Sequence, residues 1–73
     1  MSDKKIVIQS VMIPKKGFSY GKAKKWIIKH GFHIKRVDIT VNYYRFRQKE
    51  PKKGAIYRIK ELENGIMFVL QEI

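Results

Sequence analysis

Aromatic and basic side chains alternate along Tyr43–Gln48 with the two-residue period of a β-strand. Successive side chains of a strand point to opposite faces, so Tyr44 and Phe46 are predicted to face a core. The other face of this strand would then carry Tyr43, Arg45 and Arg47. The pattern predicts a strand with one buried face and one face available for contact with solvent or a partner.

Four further strands are predicted from similar patterns. An Ile- and Val-rich segment ends at Pro14, whose missing N–H interrupts a β-ladder. Two apolar segments flank Asn64-Gly65, a pair typical of a two-residue type I′ turn. In the first strand, simple alternation puts Ile8 on the face opposite Val11 and Ile13. The five predicted strands are Lys5–Ile13, Ile34–Val41, Tyr43–Gln48, Ile56–Leu62 and Ile66–Gln71.

One helix is predicted, over Tyr20–His30. Ser19 precedes it and has a hydroxyl that can accept a hydrogen bond from a free backbone N–H of the first turn. Gly31 follows it and supplies the left-handed residue that commonly ends a helix. The side chains expected from their helical spacing to face the sheet are Tyr20, Ala23 and Ile27.

The length of the chain predicts a single domain spanning residues 1–73, with the element order β-α-β-β-β-β. Its fold class is α+β, with the helix packed on one face of a small, mainly antiparallel sheet. A chain of 73 residues is near the lower size limit for a domain held together by its hydrophobic core alone, and a monomer and a homodimer are both compatible with it.

Charge adds a prediction about partners. The chain has 17 Lys and Arg residues against 6 Asp and Glu, a formal net charge of +11. Self-repulsion of this size destabilises a compact chain, which makes a polyanion the natural partner. DNA or RNA is the commonest polyanion, so we predict a small, basic, non-enzymatic nucleic-acid-binding protein. The alternative is a basic surface that only keeps the domain soluble.

Two sets of side chains are candidates for that contact. Guanidinium groups suit bidentate phosphate binding and stacking on bases, and an aromatic ring can stack on a base. On the open sheet face these would be Arg36, Tyr43, Arg45, Arg47 and Arg58. Lysines along a single rim would follow a phosphate backbone. These are Lys15, Lys16, Lys22, Lys25, Lys29, Lys52 and Lys53.

The remaining side chains predict no enzyme, no cofactor and no metal site. Cysteine is absent, and His30 and His33 lack the further ligands that zinc requires. No glycine-rich phosphate loop is present. Glu61 and Glu63 lie at a predicted hairpin tip, without the apolar pocket in which a carboxylate pair performs acid–base catalysis.

The hydropathy of the chain predicts neither secretion nor membrane insertion. No apolar run approaches the roughly 20 residues of a membrane-spanning helix, and the first residues do not form a secretion signal. We expect an intracellular location or a place in a virion.

Three segments are typical of a recurring domain: the distinctive Tyr44-Arg45-Phe46-Arg47-Gln48, accompanied by Ala23-Lys24-Lys25-Trp26 and Asn64-Gly65-Ile66. Together they resemble a small basic domain that recurs in bacteriophage and large-virus genomes, sometimes beside head or prohead-protease proteins. That family has no established activity. The resemblance implies a viral or phage setting, with the protein in the host cytoplasm or nucleoid or in the virion, and it carries over no catalytic residue.

A protein-interaction module is the alternative function. Tyr and Arg are enriched at the energetic centres of protein interfaces, so the same Arg/Tyr sheet face, or an edge of the sheet, would suit an acidic protein surface. A capsid accessory protein and an inhibitor that plugs an acidic cleft both belong to this alternative. Composition does not choose between nucleic acid and protein, or between DNA and RNA.

Overall fold

A computed structural model describes residues 5–62 and 64–72. The predicted element order is confirmed, and the boundaries differ from those predicted by at most two residues. The elements are β1 (Ile6–Pro14), α1 (Tyr20–Lys29), β2 (Arg36–Ile39), β3 (Tyr43–Arg47), β4 (Ile56–Glu61) and β5 (Met67–Glu72).

The strands form one sheet in the order β2-β3-β1-β5-β4, and every neighbouring pair is antiparallel. β1 is the central strand, with β3 on one side and β5 on the other. β2 and β4 are the two edges. The connection from β3 to β4 must therefore pass across the ends of β1 and β5.

Both predicted helix boundary signals are confirmed. The Ser19 hydroxyl accepts a hydrogen bond from the backbone N–H of Lys22 at 3.3 Å, which satisfies one of the free donors of the first turn. At the other end, Gly31 has a φ of 78°, a left-handed conformation that glycine adopts without steric cost. These two residues define where α1 begins and ends.

The helix covers one face of the sheet. Ala23 and Ile27 are fully buried against side chains of β1 and β3 and the residue before β5, namely Val11, Ile13, Phe46 and Ile66. Trp26 packs beside them, with its ring 6.2 Å from that of Phe68. Tyr20 lies at the margin of this core, 39% exposed. Within residues 5–62 and 64–72, no helix packs on the sheet face opposite α1, and we call this face the open face.

A β-bulge in β1 changes which side chains lie on the open face. The pairing with β5 shifts between Ile8 and Ser10, so Gln9 is an extra residue in β1. Ile8 consequently packs on the same core as Val11, on the helix-covered face. The predicted placement of Ile8 opposite Val11 is wrong because strict alternation does not continue across a bulge.

The β4–β5 hairpin has a longer connection than predicted. Leu62 N–H donates to the Ile66 carbonyl at 2.7 Å, so the hairpin closes at Leu62 and Ile66 and not directly around Asn64-Gly65. Among the described residues only glycines have positive φ, and Gly65 has a φ of 86°. A type I′ turn also requires positive φ at Asn64, so that prediction is wrong. Gly65 takes the left-handed position in the connection that replaces it. Glu63 lies outside the described residues.

Candidate nucleic-acid interface

Three arginines share the open face. Residues directly opposite each other in an antiparallel pair point to the same face, and Arg36 is opposite Arg47 while Asp38 is opposite Arg45. Phe46, between the two β3 arginines, is fully buried in the core beneath α1. The β3 arginines and Arg36 therefore point away from the helix, on two neighbouring strands.

Arg45 is held in place by the bulge of β1. Its Nε donates to Ser10 Oγ at 3.1 Å, and its Nη2 donates to Gln9 Oε1 at 3.0 Å. Ser10 Oγ also donates to Gln9 Oε1, at 2.7 Å. Gln9 and Ser10 are almost completely buried, so their side chains have few alternative conformations. Neutral groups thus orient the Arg45 guanidinium without cancelling its charge.

Arg47 is partly neutralised by an ion pair. Its Nη2 lies 3.2 Å from Asp38 Oδ2, and the two side chains are 25% and 45% exposed respectively. An ion pair this exposed contributes only about 0–1 kcal/mol. The Arg47 Nε is buried and has no hydrogen-bond partner within the described part of the chain. One carboxylate for three guanidinium groups leaves this part of the open face with a formal charge of +2.

Arg36 is exposed, and its cross-strand neighbour Arg47 has the same charge. Like charges directly opposite each other destabilise an antiparallel pair. Over residues 5–62 and 64–72, no ion pair joins Arg36 to a carboxylate. Arg36 is therefore the basic side chain of this face that is best placed to receive an anion from solution.

The β3–β4 connection brings further lysines to the open face. Gln9 Nε2 donates to the Lys49 carbonyl at 3.0 Å. Gln71 Oε1 accepts from the backbone N–H of Lys52 at 2.7 Å and from the Tyr57 hydroxyl at 2.9 Å. These bonds fix the loop across one end of the open face and bring Lys49 near Arg36 and Arg47.

Two concavities flank this loop. The first has a volume of about 270 Å³, and we call it the β2–β3 pocket. It is lined by Lys35, Arg36, Arg47, Gln48, Lys49 and Glu50. The second, of about 420 Å³, is lined by Lys5, Val7, Lys49, Glu50, Pro51, Lys52 and Gln71. The two share Lys49 and Glu50, so they form neighbouring depressions at one end of the open face.

Three lysines that line these concavities were not among the predicted candidates: Lys5, Lys35 and Lys49. Lys35 directly precedes Arg36, and Lys49 lies two positions after Arg47. For Lys35 and Lys49, closeness in sequence to the predicted arginines was the signal that could have identified them. It was insufficient, because only the pairing of β2 with β3 brings the two lysines to the same end of the sheet.

Arg58 does not join the other arginines. It lies on the edge strand β4 opposite Leu70, which puts it on the face that carries α1. Its Nε is 3.6 Å from Glu72 Oε2. The predicted place of Arg58 on the open face is wrong because the register of β4 directs Tyr57 and Ile59 to that face instead.

The predicted lysines do not form one rim. Lys22, Lys25 and Lys29 are exposed on α1, on the far side of the sheet from the open face. Lys15 and Lys16 follow Pro14, at the end of β1 farthest from the bulge, and Lys15 Nζ lies 5.6 Å from the centre of the Tyr44 ring. The lysines that share the loop across the open face are Lys52 and Lys53.

Tyr43 lies on the open face at the end opposite the β2–β3 pocket. It is half-buried and pairs with Pro14, while the neighbouring Tyr44 pairs with the core residue Ile13. A base stacked on Tyr43 would therefore be separated from the pocket by the Arg45 position. Its stacking role stays a prediction.

The fold and site define a small α+β domain with a basic open face. Comparison with protein-family models, curated proteins and solved structures finds no match. The viral or phage setting that the sequence resemblance implies stays a prediction.

Within the described residues, no helix is long and apolar enough to span a bilayer. In that same part of the chain, no three His, Asp or Glu side chains are grouped as metal ligands.

Proposed function

We propose that this protein is a non-enzymatic nucleic-acid-binding protein. Its open face contacts the phosphate backbone of the nucleic acid. The observation that supports this best is the shared placement of Arg36, Arg45 and Arg47, with Lys35 and Lys49 beside them. Guanidinium groups match phosphate oxygens with two parallel N–H donors, so a row of them suits a chain of phosphates.

The hydrogen bonds that hold the Arg45 side chain favour this function over a purely solubilising role. Its guanidinium is already ordered by Gln9 and Ser10, so little side-chain freedom is left to lose when a phosphate binds. A solubilising arginine needs no such bonds. Buried polar groups that orient a cation on a surface are typical of a site prepared for an anion.

Backbone contact of this kind predicts strong dependence on salt. Each neutralised phosphate releases counterions, and the logarithm of the binding constant falls with the logarithm of salt concentration by about 0.7 to 0.9 per contact. The five basic side chains named above would give a slope of roughly −3.5 to −4.5 if all of them contact phosphate. Such contact does not discriminate between sequences.

Fluorescence anisotropy with labelled single- and double-stranded DNA and RNA tests the proposal. At about 50 mM salt, wild-type protein should bind at least one of these probes. Arg36→Gln should weaken that binding, because Arg36 is exposed on the open face. The matched control is Lys60→Gln, which removes the same charge from the helix-covered side of β4 and should bind like wild type. Absence of binding to all four probes would end the proposal.

A second candidate function, docking on an acidic protein, is supported by strand β4. β4 is an edge of the sheet, and three of its apolar side chains are exposed: Ile56 by 55%, Tyr57 by 43% and Ile59 by 65%. An exposed edge with such side chains can pair with a strand of another protein. Its basic side chains Arg58 and Lys60 would favour an acidic strand.

A further inference from the structure

We propose that the β2–β3 pocket binds a phosphomonoester dianion and that its ligand in a complex is the terminal phosphate of a nucleic-acid strand. This inference rests on the proposed function and deepens it. Arg45 and the rest of the open face would contact internal phosphates, while the four basic side chains that line the pocket would hold a phosphorylated strand end and distinguish it from a hydroxyl end.

The size of the pocket indicates a small ligand group. Pockets for drug-sized ligands occupy about 300 to 1,000 Å³. The β2–β3 pocket, at about 270 Å³, lies just below that range. It suits one compact anionic group at the end of a longer molecule better than a whole nucleotide buried inside it.

The charge of the pocket favours a dianion. Four basic side chains against the single carboxylate of Glu50 give the lining a formal net charge of +3. An internal phosphodiester carries one negative charge, whereas a phosphomonoester carries about 1.5 to 2 at neutral pH. The attraction to the lining grows with the charge of the ligand, so a terminal phosphate gains more than an internal one.

The cross-strand pair Arg36 and Arg47 explains where the phosphate would bind. These two guanidinium groups stand on adjacent strands with the same charge, and both line the pocket. A phosphate between them would accept hydrogen bonds from both and remove their repulsion. Asp38 already binds one side of Arg47, which fixes that group for the second contact.

Lys35 and Lys49 supply the other two basic side chains of the pocket lining. Lys35 precedes β2, and the backbone of Lys49 is anchored to Gln9 by a 3.0 Å hydrogen bond. Arg45 does not line the pocket. Variants of the two lysines therefore test the pocket, while Arg45 and the rest of the open face remain as they are.

The test compares oligonucleotides of one sequence that end in a hydroxyl or in a phosphate at either end, by fluorescence anisotropy. Wild type should bind a phosphorylated strand roughly tenfold more tightly, the effect of one charge-assisted hydrogen bond. The double variant Lys35→Gln with Lys49→Gln should lose this difference, whereas Lys60→Gln should keep it. Glu50→Gln should enlarge it, because it removes a carboxylate from the lining.

A second arm separates a strand end from free phosphate. Inorganic phosphate is titrated into the protein while backbone amide signals are followed by NMR, with chloride at equal ionic strength as the control. Shifts confined to the pocket residues at millimolar phosphate, without a preference between the oligonucleotides, would overturn the strand-end assignment in favour of free phosphate. Binding of all oligonucleotides equally, with no phosphate shifts, would overturn the pocket and leave the proposed function standing. Phosphate shifts without oligonucleotide binding would instead remove the proposed function.

Discussion

Arg36 of β2 and Arg47 of β3 stand directly opposite each other in the antiparallel sheet, with their side chains on the face that α1 leaves open. Asp38 offsets the charge of Arg47 alone, through its 3.2 Å ion pair. This arrangement opposes strand pairing and favours an anion. The charge of Arg36 is therefore unfavourable for folding and favourable for anion binding.

Replacing Arg36 should reveal this opposition. Arg36→Gln removes the like-charge pair, so we expect the free energy of unfolding to rise by about 0.2 to 1 kcal/mol in low salt. Urea denaturation followed by circular dichroism measures it. Lys60→Gln removes one charge from the far edge and serves to subtract the general effect of a lower net charge. A variant less stable than this control would contradict the repulsion.

Ser10 should contribute to stability as well as to the position of Arg45. Ser10→Ala removes the hydroxyl that donates to Gln9 and accepts from Arg45. We expect a loss of about 1 to 3 kcal/mol, because the buried Gln9 oxygen and the arginine each lose a partner. Chemical denaturation gives the value. Equal stability of variant and wild type would show that these bonds do not hold the site.

The helix–sheet core provides a matched pair of adjacent residues. Ile27 is fully buried and Ile28 is 65% exposed. Ile27→Ala should cost about 2 to 5 kcal/mol, a large fraction of the total for so small a domain, because it removes core volume between α1 and the sheet. Ile28→Ala should change stability by less than about 0.5 kcal/mol. Thermal unfolding of the two variants compares them, and equal effects would mean that α1 packs differently.

Two glycines should respond in opposite directions to the same substitution. Gly21 lies within α1 with open space around its Cα, so Gly21→Ala should stabilise the protein by about 0.5 to 1 kcal/mol. Gly65 has a φ of 86°, and an added Cβ would lie 3.4 Å from the Pro14 ring. Gly65→Ala should therefore destabilise by about 1 kcal/mol or more. The melting temperatures of both variants test this prediction. A Gly65→Ala variant more stable than wild type would contradict the left-handed conformation of Gly65 in the hairpin.

Local signals in the sequence were sufficient for the elements of the fold. Ser19 and Gly31 act through contacts within a few residues, so the limits of α1 follow from their chemistry. Alternation in β3 likewise placed Phe46 in the core and its neighbouring arginines on the open face. In each case the determining interaction is encoded next to the residue concerned.

The features that were predicted wrongly or missed depend on pairing between segments that are distant in the sequence. The bulge at Gln9 is a mismatch between β1 and β5, so neither strand reveals it alone. The face of Arg58 depends on the register of β4 against β5, where a shift of one residue reverses every side chain. Lys35 and Lys49 meet only because β2 pairs with β3.

The dependence of binding on salt tests the central claim most directly. The anisotropy titrations are repeated for wild type and Arg36→Gln at several salt concentrations. The account predicts a steep wild-type slope of roughly −3.5 to −4.5 and a slope shallower by about 0.7 to 0.9 for the variant, since one phosphate contact is lost. A slope near zero for wild type, or identical slopes for both proteins, would contradict phosphate binding by the open face.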